Sequence, residues 1–423
     1  MINFLLIISF KIFYFQSLNI TCQGRNFALI YLDVGTPKVK VPIIITTNND
    51  KLTFINIPGT NSYDIENSSS VEKTSNKFEY NYPYIYKNYN ISSLIVKDIL
   101  YYQNQSSCLY FGYSNNTQSI KFAKEIRFPL LGIIGISKTQ DFNDKYNFIN
   151  QLISTNIIRK RVFYFEKIEN GTTYRNITLG DYPEIFEKNN NNNTIFECKM
   201  IDEFPLNRIC KVSRIIFGSF NSSKEFHNNS IKINEFLDFT YNSNNYHIFP
   251  LKYKEIFDKK MKETENCSYI EWYFYSIWSC EKKEEFPKIS FVINHTIINV
   301  HHILFETIGR GYPALIILFQ DNINKIELSV QQMAYKGFSI LFDDEKNIVK
   351  FFSNNTDDII KTEYDDDDDK KEDNTNYLLY FIIVLIIICI FVGIDIILLK
   401  KKPQSDYHII VDSTHEKILK ESE

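Results

Sequence analysis

Residues Val41–Ile55 read VPIIITTNNDKLTFI. An apolar run from Val41 to Ile45 gives way to Thr46, Thr47, Asn48, Asn49 and Asp50, and apolar character resumes at Leu52-Thr53-Phe54-Ile55. Short β-branched runs on either side of polar turn formers predict a buried strand, a turn and a second buried strand. Just upstream, Tyr31–Lys40 reads YLDVGTPKVK, with Gly35-Thr36-Pro37 as a turn between two more strand-like runs.

Working outward, the same character recurs. FALIYLDV, SSLIVKDILYY, RVFYFEKI, RNITLGDY, SRIIFGSF, KISFVIN, PALIILF, FSILFD and NIVKFF are rich in Ile, Val, Phe, Tyr and Thr and are separated by Asn, Ser, Gly and Pro. That is the pattern of a mainly β fold. DKYNFINQLISTN and PLKYKEIFDKKMKE instead space their apolar residues three to four apart, which predicts short helices. EKNNNNNT is a low-complexity surface loop expected near the boundary between two halves. Hydrophobic residues make up 44% of the 423 residues and aromatics 15%, enough for a large bilobal body. The net charge is −4, with no basic block before the extreme C-terminal region, which argues against nucleic acid as a partner.

Both ends carry membrane signals. MINFLLIISFKIFYFQSLNITCQG opens with an apolar run too short to span comfortably, so residues 1–21 read as a signal peptide. LLYFIIVLIIICIFVGIDIILL is long enough, since a span needs about 20 residues, and residues 377–399 are expected to form a single transmembrane helix. Lys400, Lys401 and Lys402 follow at once and DDDDDKKED precedes, which puts the tail, 400–423, in the cytosol. Asp395 within the span reads as an interfacial carboxylate that reaches those lysines. Residues 356–376 form a charged stalk too polar to bury anything. The expectation is a single-pass type I membrane protein, at the cell surface or in the endolysosomal system, with its main part lumenal or extracellular.

That part carries N-x-[ST] sequons at Asn67, Asn90, Asn104, Asn115, Asn170, Asn176, Asn192, Asn221, Asn228, Asn266, Asn294 and Asn354, so a glycoprotein is expected. Cys389 falls in the span, whereas Cys22, Cys108, Cys198, Cys210, Cys267 and Cys280 precede it, an even set suited to an oxidising compartment. No CxxC or Cys/His cluster is present, and neither a metal nor a cofactor is expected. In the tail, Tyr407-His408-Ile409-Ile410 fits a Y-x-x-Φ signal, which makes sorting adaptors expected partners through Tyr407 and Ile410.

From about residue 25 the order of features resembles the pepsin family of aspartic proteases. Gly35-Thr36-Pro37 and VPIIITTNNDKLTFI match the opening of its first lobe, where a D-T-G-[ST] turn follows the second strand. Counting back from Leu52 puts Thr46, Thr47, Asn48 and Asn49 on that turn. SSLIVKD resembles the strand returning from the substrate-covering flap, with Tyr86, or its neighbour Tyr84, at the flap tyrosine. LLGIIGISK, with Gly132 and Gly135, resembles the family's G-I-[LI]-G-L element, and Gly180 sits where a further glycine is expected. YNSNNYHIFPLKYKEIF resembles the second aspartate turn, and counting back from Pro250 puts Tyr241 on the aspartate. CSYIEWYFYSIWSCEKKEEFPKISFVIN resembles the family's cysteine loop and implies a Cys267–Cys280 disulfide. VQQMAYKGFSILFDDEKNIVKFF, with Phe342-Asp343, resembles its closing strands. The resemblance implies a bilobal pepsin-like (acid protease) fold, with an N-terminal lobe over 25–190 and a C-terminal lobe over 191–355.

The departures bear on function. The family's chemistry needs two carboxylates that share one proton. Here Thr46 and Tyr241 stand at those places, and neither a hydroxyl nor a phenol titrating near pH 10 replaces the pair. Asn48 and Ser243 replace the turn glycines, Asn48 being the better fit to left-handed backbone. Asp33, Asp50 and Asp238 lie nearby, but none is followed by Thr or Ser and then Gly. No G-x-S-x-G or H-E-x-x-H string offers another apparatus, and His301 and His302 read as edge-strand or core residues. The resemblance thus implies a pseudoprotease whose cleft binds a peptide or protein. The rival readings are an active membrane-anchored aspartic endopeptidase with displaced catalytic residues, and a structural or adhesive surface protein.

Overall fold

The computed structural model describes residues 17–361 apart from 24–28, 85–86, 103–104, 126–129, 140, 169–173, 184–194, 205, 219–228, 242–245, 265, 273–274, 283–285, 309–311, 354 and 356. The expected transmembrane helix 377–399, Tyr407, Ile410, the flap position Tyr86, Ser243 and the sequons at Asn104, Asn170, Asn192, Asn221, Asn228 and Asn354 therefore lie outside the described residues. No described helix is long and apolar enough to cross a membrane.

The described chain is mainly β. It opens with strands β1 (Leu18–Gln23), β2 (Leu29–Val34), β3 (Val39–Thr46) and β4 (Leu52–Ile55). A long hairpin of β5 (Glu72–Tyr84) and β6 (Lys87–Tyr102) follows, then β7 (Gln105–Ser114), β8 (Gly132–Gly135), β9 (Val162–Phe165) and β10 (Tyr174–Leu179). Next come β11 (Ile195–Lys199), β12 (Ile209–Phe217), β13 (Ser230–Thr240) and β14 (His247–Pro250). The hairpin of β15 (Cys267–Trp272) and β16 (Tyr275–Cys280) precedes β17 (Ile289–Ile293) and β18 (Thr296–Asn299). The later strands are β19 (Phe305–Ile308), β20 (Tyr312–Leu315), β21 (Ile317–Gln320), β22 (Lys325–Ser329), β23 (Phe338–Asp343), β24 (Ile348–Ser353) and β25 (Ile359–Lys361). The helices are short: α1 (Thr117–Glu125), α2 (Phe148–Ser154), α3 (Lys254–Lys262), α4 (His301–Leu304) and α5 (Val330–Tyr335).

The quoted stretch behaves as its composition demands. β3 is buried from Val41 to Thr46, and all of β4 is buried, because neither face of either strand meets water. β3 runs parallel to β8, β8 antiparallel to β4, and β4 parallel to β7. The second half repeats the arrangement: β13 is parallel to β22, β22 antiparallel to β14, and β14 parallel to β21. The hairpins β2–β3 and β12–β13 are likewise equivalent. The first copy closes on itself, since β6 pairs with both β7 and β2.

A buried carboxylate locks the turn between β2 and β3. Asp98 accepts from Tyr63 Oη (2.7 Å), Ser68 Oγ (2.6 Å), Ser70 Oγ (2.5 Å) and the Ile99 N–H (2.7 Å). Ser68 Oγ in turn accepts from the Thr36 N–H, and Gly35 has a left-handed φ of 78° with the Asp98 carboxylate 3.3 Å from where a Cβ would stand. Burial, with Asp98 beside it, pushes the Tyr63 hydroxyl pKa up, so it stays a donor.

Paired strands cross three of the expected boundaries. β1 takes in Leu18–Thr21, the end of the stretch read as signal peptide, because it zips onto β10 from Leu18↔Leu179 to Gln23↔Tyr174. The boundary at 190/191 is not a sheet boundary: β11, β24 and β23 join the large sheet through the β23–β9 pairing. β25 draws Ile359–Lys361, expected in the stalk, onto β18. His301 and His302 open helix α4 rather than sit in a strand, and His301 Nδ1 lies 3.1 Å from the Pro287 carbonyl.

Two disulfides are present. Cys267–Cys280 spans the facing ends of β15 and β16, as the resemblance implied, and Cys198–Cys210, a pairing the sequence left open, joins β11 of the large sheet to β12 of the second. Every described asparagine of the sequons given above is exposed: Asn67, Asn90, Asn115, Asn176, Asn266 and Asn294.

Candidate functional site

The turns that end β3 and β13 meet. The Thr47 N–H donates to the Tyr241 carbonyl (2.8 Å), and the Tyr241 N–H donates to Thr47 Oγ1 (2.9 Å). Each N–H donates to the other residue, one to a carbonyl and the other to a side-chain hydroxyl, which sets the two positions face to face across the repeat. Thr47 therefore corresponds to Tyr241, and Thr46 to Thr240. The strand registers agree, with Thr46 opposite Gly135 on β8 and Thr240 opposite Ser329 on β22. The expected place of Tyr241 opposite Thr46 is thus off by one residue. Thr53 on β4 and Ile248 on β14 are also register counterparts, and the loop before Ile248 is one residue longer, so a count of nine back from Pro250 stops one residue short of Thr240.

Thr46 is 0% exposed, Thr47 8%, Thr240 6% and Tyr241 1%, so all four are buried. The Tyr241 ring stacks on Phe165 with centroids 4.9 Å apart. Thr46 Oγ1 accepts from the Asn48 N–H (3.1 Å) and Asn49 Oδ1 from the Lys51 N–H (3.1 Å). Side-chain acceptors thus hold the first turn, and Asn48 does not take the left-handed backbone expected of it. The turn is strapped to β8 by Gly135 N–H to Lys51 O, Ile136 N–H to Thr46 O and Ser137 N–H to Asn49 O, each 2.8 Å. A Cβ on Gly135 would lie 2.5 Å from the Asn49 backbone, so only glycine fits there.

The carboxylates nearest in sequence are committed elsewhere. Asp50 accepts from Lys51 (2.8 Å) and Asn147 (3.1 Å). Lys51 also binds Asp144; burial raises that acid's pKa, but Lys51 and backbone donors outweigh it and hold Asp144 below its usual value. Asp238, buried in β13, pairs with Lys325 and accepts from Asn207 (2.8 Å), and burial nevertheless pushes its pKa up. Glu327, opposite Asp238 in the register, is also pushed up by burial. Asp33 lies on β2, paired with Lys40 in register.

Beside the second turn sits a buried histidine. His247 Nδ1 accepts from the Ser329 N–H (3.2 Å), which leaves Nε2 to donate to the Ile303 carbonyl (3.2 Å). Burial lowers its pKa to about 4, so the ring is neutral. The β5–β6 hairpin lies against the first copy: the Phe78 ring occupies the space over Gly112, where a Cβ would meet it at 2.4 Å. Phe78 and Tyr80 stack with centroids 5.9 Å apart. Among the described residues no group of His, Cys, Asp and Glu is arranged to hold a metal ion.

Sequence reasoning missed Thr240 and His247. The signal for Thr240 was the internal likeness of Thr46-Thr47-Asn48 and Thr240-Tyr241-Asn242; His247 has no local signature. No protein-family model and no curated protein matches the chain.

Proposed function

We propose that this chain is a pepsin-like pseudoprotease, a membrane-anchored glycoprotein that binds a peptide or protein without cleaving it. The observation that carries the reading is the meeting of the two repeated turns, with Thr46 and Thr240 where the family's carboxylates would stand. A threonine hydroxyl neither takes a proton from water nor gives one to a carbonyl at neutral or acidic pH, so the acid–base step is lost while the paired turns persist. The groove of such a fold is shaped by its strands rather than by two side chains, so binding outlasts catalysis.

The test is to present a peptide library to the full-length chain in detergent from pH 3 to pH 7, reading both cleavage and binding. Binding without turnover is the expected result. Turnover blocked by a transition-state mimic and abolished by Asp50→Asn or Asp238→Asn would instead favour an active endopeptidase with displaced residues. The second reading, an adhesive surface protein with an unused groove, is favoured by the burial of all four turn residues; an absence of both binding and cleavage would support it.

A further inference from the structure

A further sequon, Asn19-Ile20-Thr21, lies inside the stretch read as signal peptide and falls on β1. It faces the sequon Asn176-Ile177-Thr178 on β10 in antiparallel register, with Asn19 opposite Thr178 and Thr21 opposite Asn176. The two are reciprocally bonded: Thr178 Oγ1 donates to Asn19 Oδ1 (2.8 Å) and Thr21 Oγ1 to Asn176 Oδ1 (3.1 Å). Asn19, Thr21 and Asn176 are exposed, whereas Ile20 and Ile177 point into the core. Both asparagines thus stand on one outer face, as diagonal neighbours whose Cα atoms lie about 7–8 Å apart.

We infer that Asn19 is a glycan acceptor, and that it forms with Asn176 a paired site in which Asn19 is filled first. The inference rests on the lumenal reading of the main part of the chain. The transfer joins Asn19 Nδ2 to the anomeric carbon of an oligosaccharide carried on a lipid diphosphate. The carbon–oxygen bond to the diphosphate breaks, the lipid diphosphate leaves, and Nδ2 gives up one proton. The acceptor oxygens Oδ1 are not consumed, so both threonine bonds survive modification.

Timing follows from separation. Once β1 and β10 are zipped, both tripeptides are locked in extended backbone and their threonine hydroxyls are engaged, so transfer must precede pairing. Thr21 and Asn176 are 155 residues apart, and at ribosomal speed that distance takes on the order of 10 s to synthesise. Asn19 waits through that interval without its partner strand. Asn176 emerges when β1 and β9 are already made, so strand closure competes with its modification at once.

The experiment is glycopeptide mass spectrometry on the full-length chain made in a eukaryotic secretory host. Asn19 is expected to be occupied, and at least as fully as Asn176. Thr21→Val should remove the Asn19 glycan alone and Thr178→Val the Asn176 glycan alone. Because transfer precedes folding, both losses are readable even if a variant is retained unfolded. A bare Asn19, or a mature chain cleaved beyond it, beside glycosylated Asn67 or Asn90 overturns the site, and occupancy higher at Asn176 than at Asn19 overturns the order. If every sequon is bare, the lumenal reading falls and the inference with it.

Discussion

Thr47 Oγ1 receives the Tyr241 N–H where both residues are buried, so Thr47→Val removes that acceptor from a buried main-chain donor. The expected loss is about 1–3 kcal/mol in denaturant unfolding, and Thr47→Ser should recover most of it. His247 gives a pH signature. Its folded pKa of about 4 lies below the unfolded value near 6.5. The unfolded chain therefore takes up the proton first as pH falls. The stability from the neutral ring is full above about pH 6.5 and is lost toward pH 4, by about 3 kcal/mol. Unfolding curves of wild type and His247→Gln should diverge by that order between pH 7 and pH 4, with the wild type losing more. Asp238 and Glu327, both raised, run the other way: their contribution is present at low pH and lost as pH rises through their folded values. At this scale the turn after Thr46 was legible because a short, buried run of strand lies on each side of it. Tyr241 displaced Thr240 because the loop after it is one residue longer than its counterpart in the first half, which a fixed count from Pro250 does not register.

Individual strands were legible wherever burial repeats locally, as in β3, β4 and β23. Helices α2 and α3 were legible from their spacing, and Asn147 caps the first by accepting from the Asn150 N–H. Errors came where a tertiary contact cuts a run. The stretch PALIILF splits into β20 and β21 because Ile316 turns to bond with Leu304 and His247 instead of continuing one ladder. Each disulfide closes a loop of about a dozen residues, for which chain entropy gives about 3 kcal/mol. Replacing Cys198 and Cys210 by alanine should lower the melting temperature measurably under oxidising conditions and leave it little changed in reductant.

The large sheet runs β11-β24-β23-β9-β10-β1 before it reaches the first repeat, so its strands come from both ends of the sequence. Pairings such as Phe342↔Phe163 leave no local pattern, which is why the Asn-rich loop looked like a divide and the sheet crossing it stayed hidden. A fragment of residues 1–190 lacks β23, the partner of β9, and should fail to fold: its amide NMR spectrum should stay undispersed, whereas residues 1–361 give a dispersed one. The exit of the chain carries a mechanical consequence. β25 is three residues long, and among the described residues its strand pairing is with β18. Immediately before it, Asp358 is knotted by Ser353 Oγ (2.5 Å), Asn355 Nδ2 (3.1 Å) and its own carbonyl to the Asn299 N–H (2.8 Å). Tension applied from residue 362 would unzip β25 one bond at a time and then stall at that knot. The strand would act as slack that yields at low force while the sheets behind it stay unloaded.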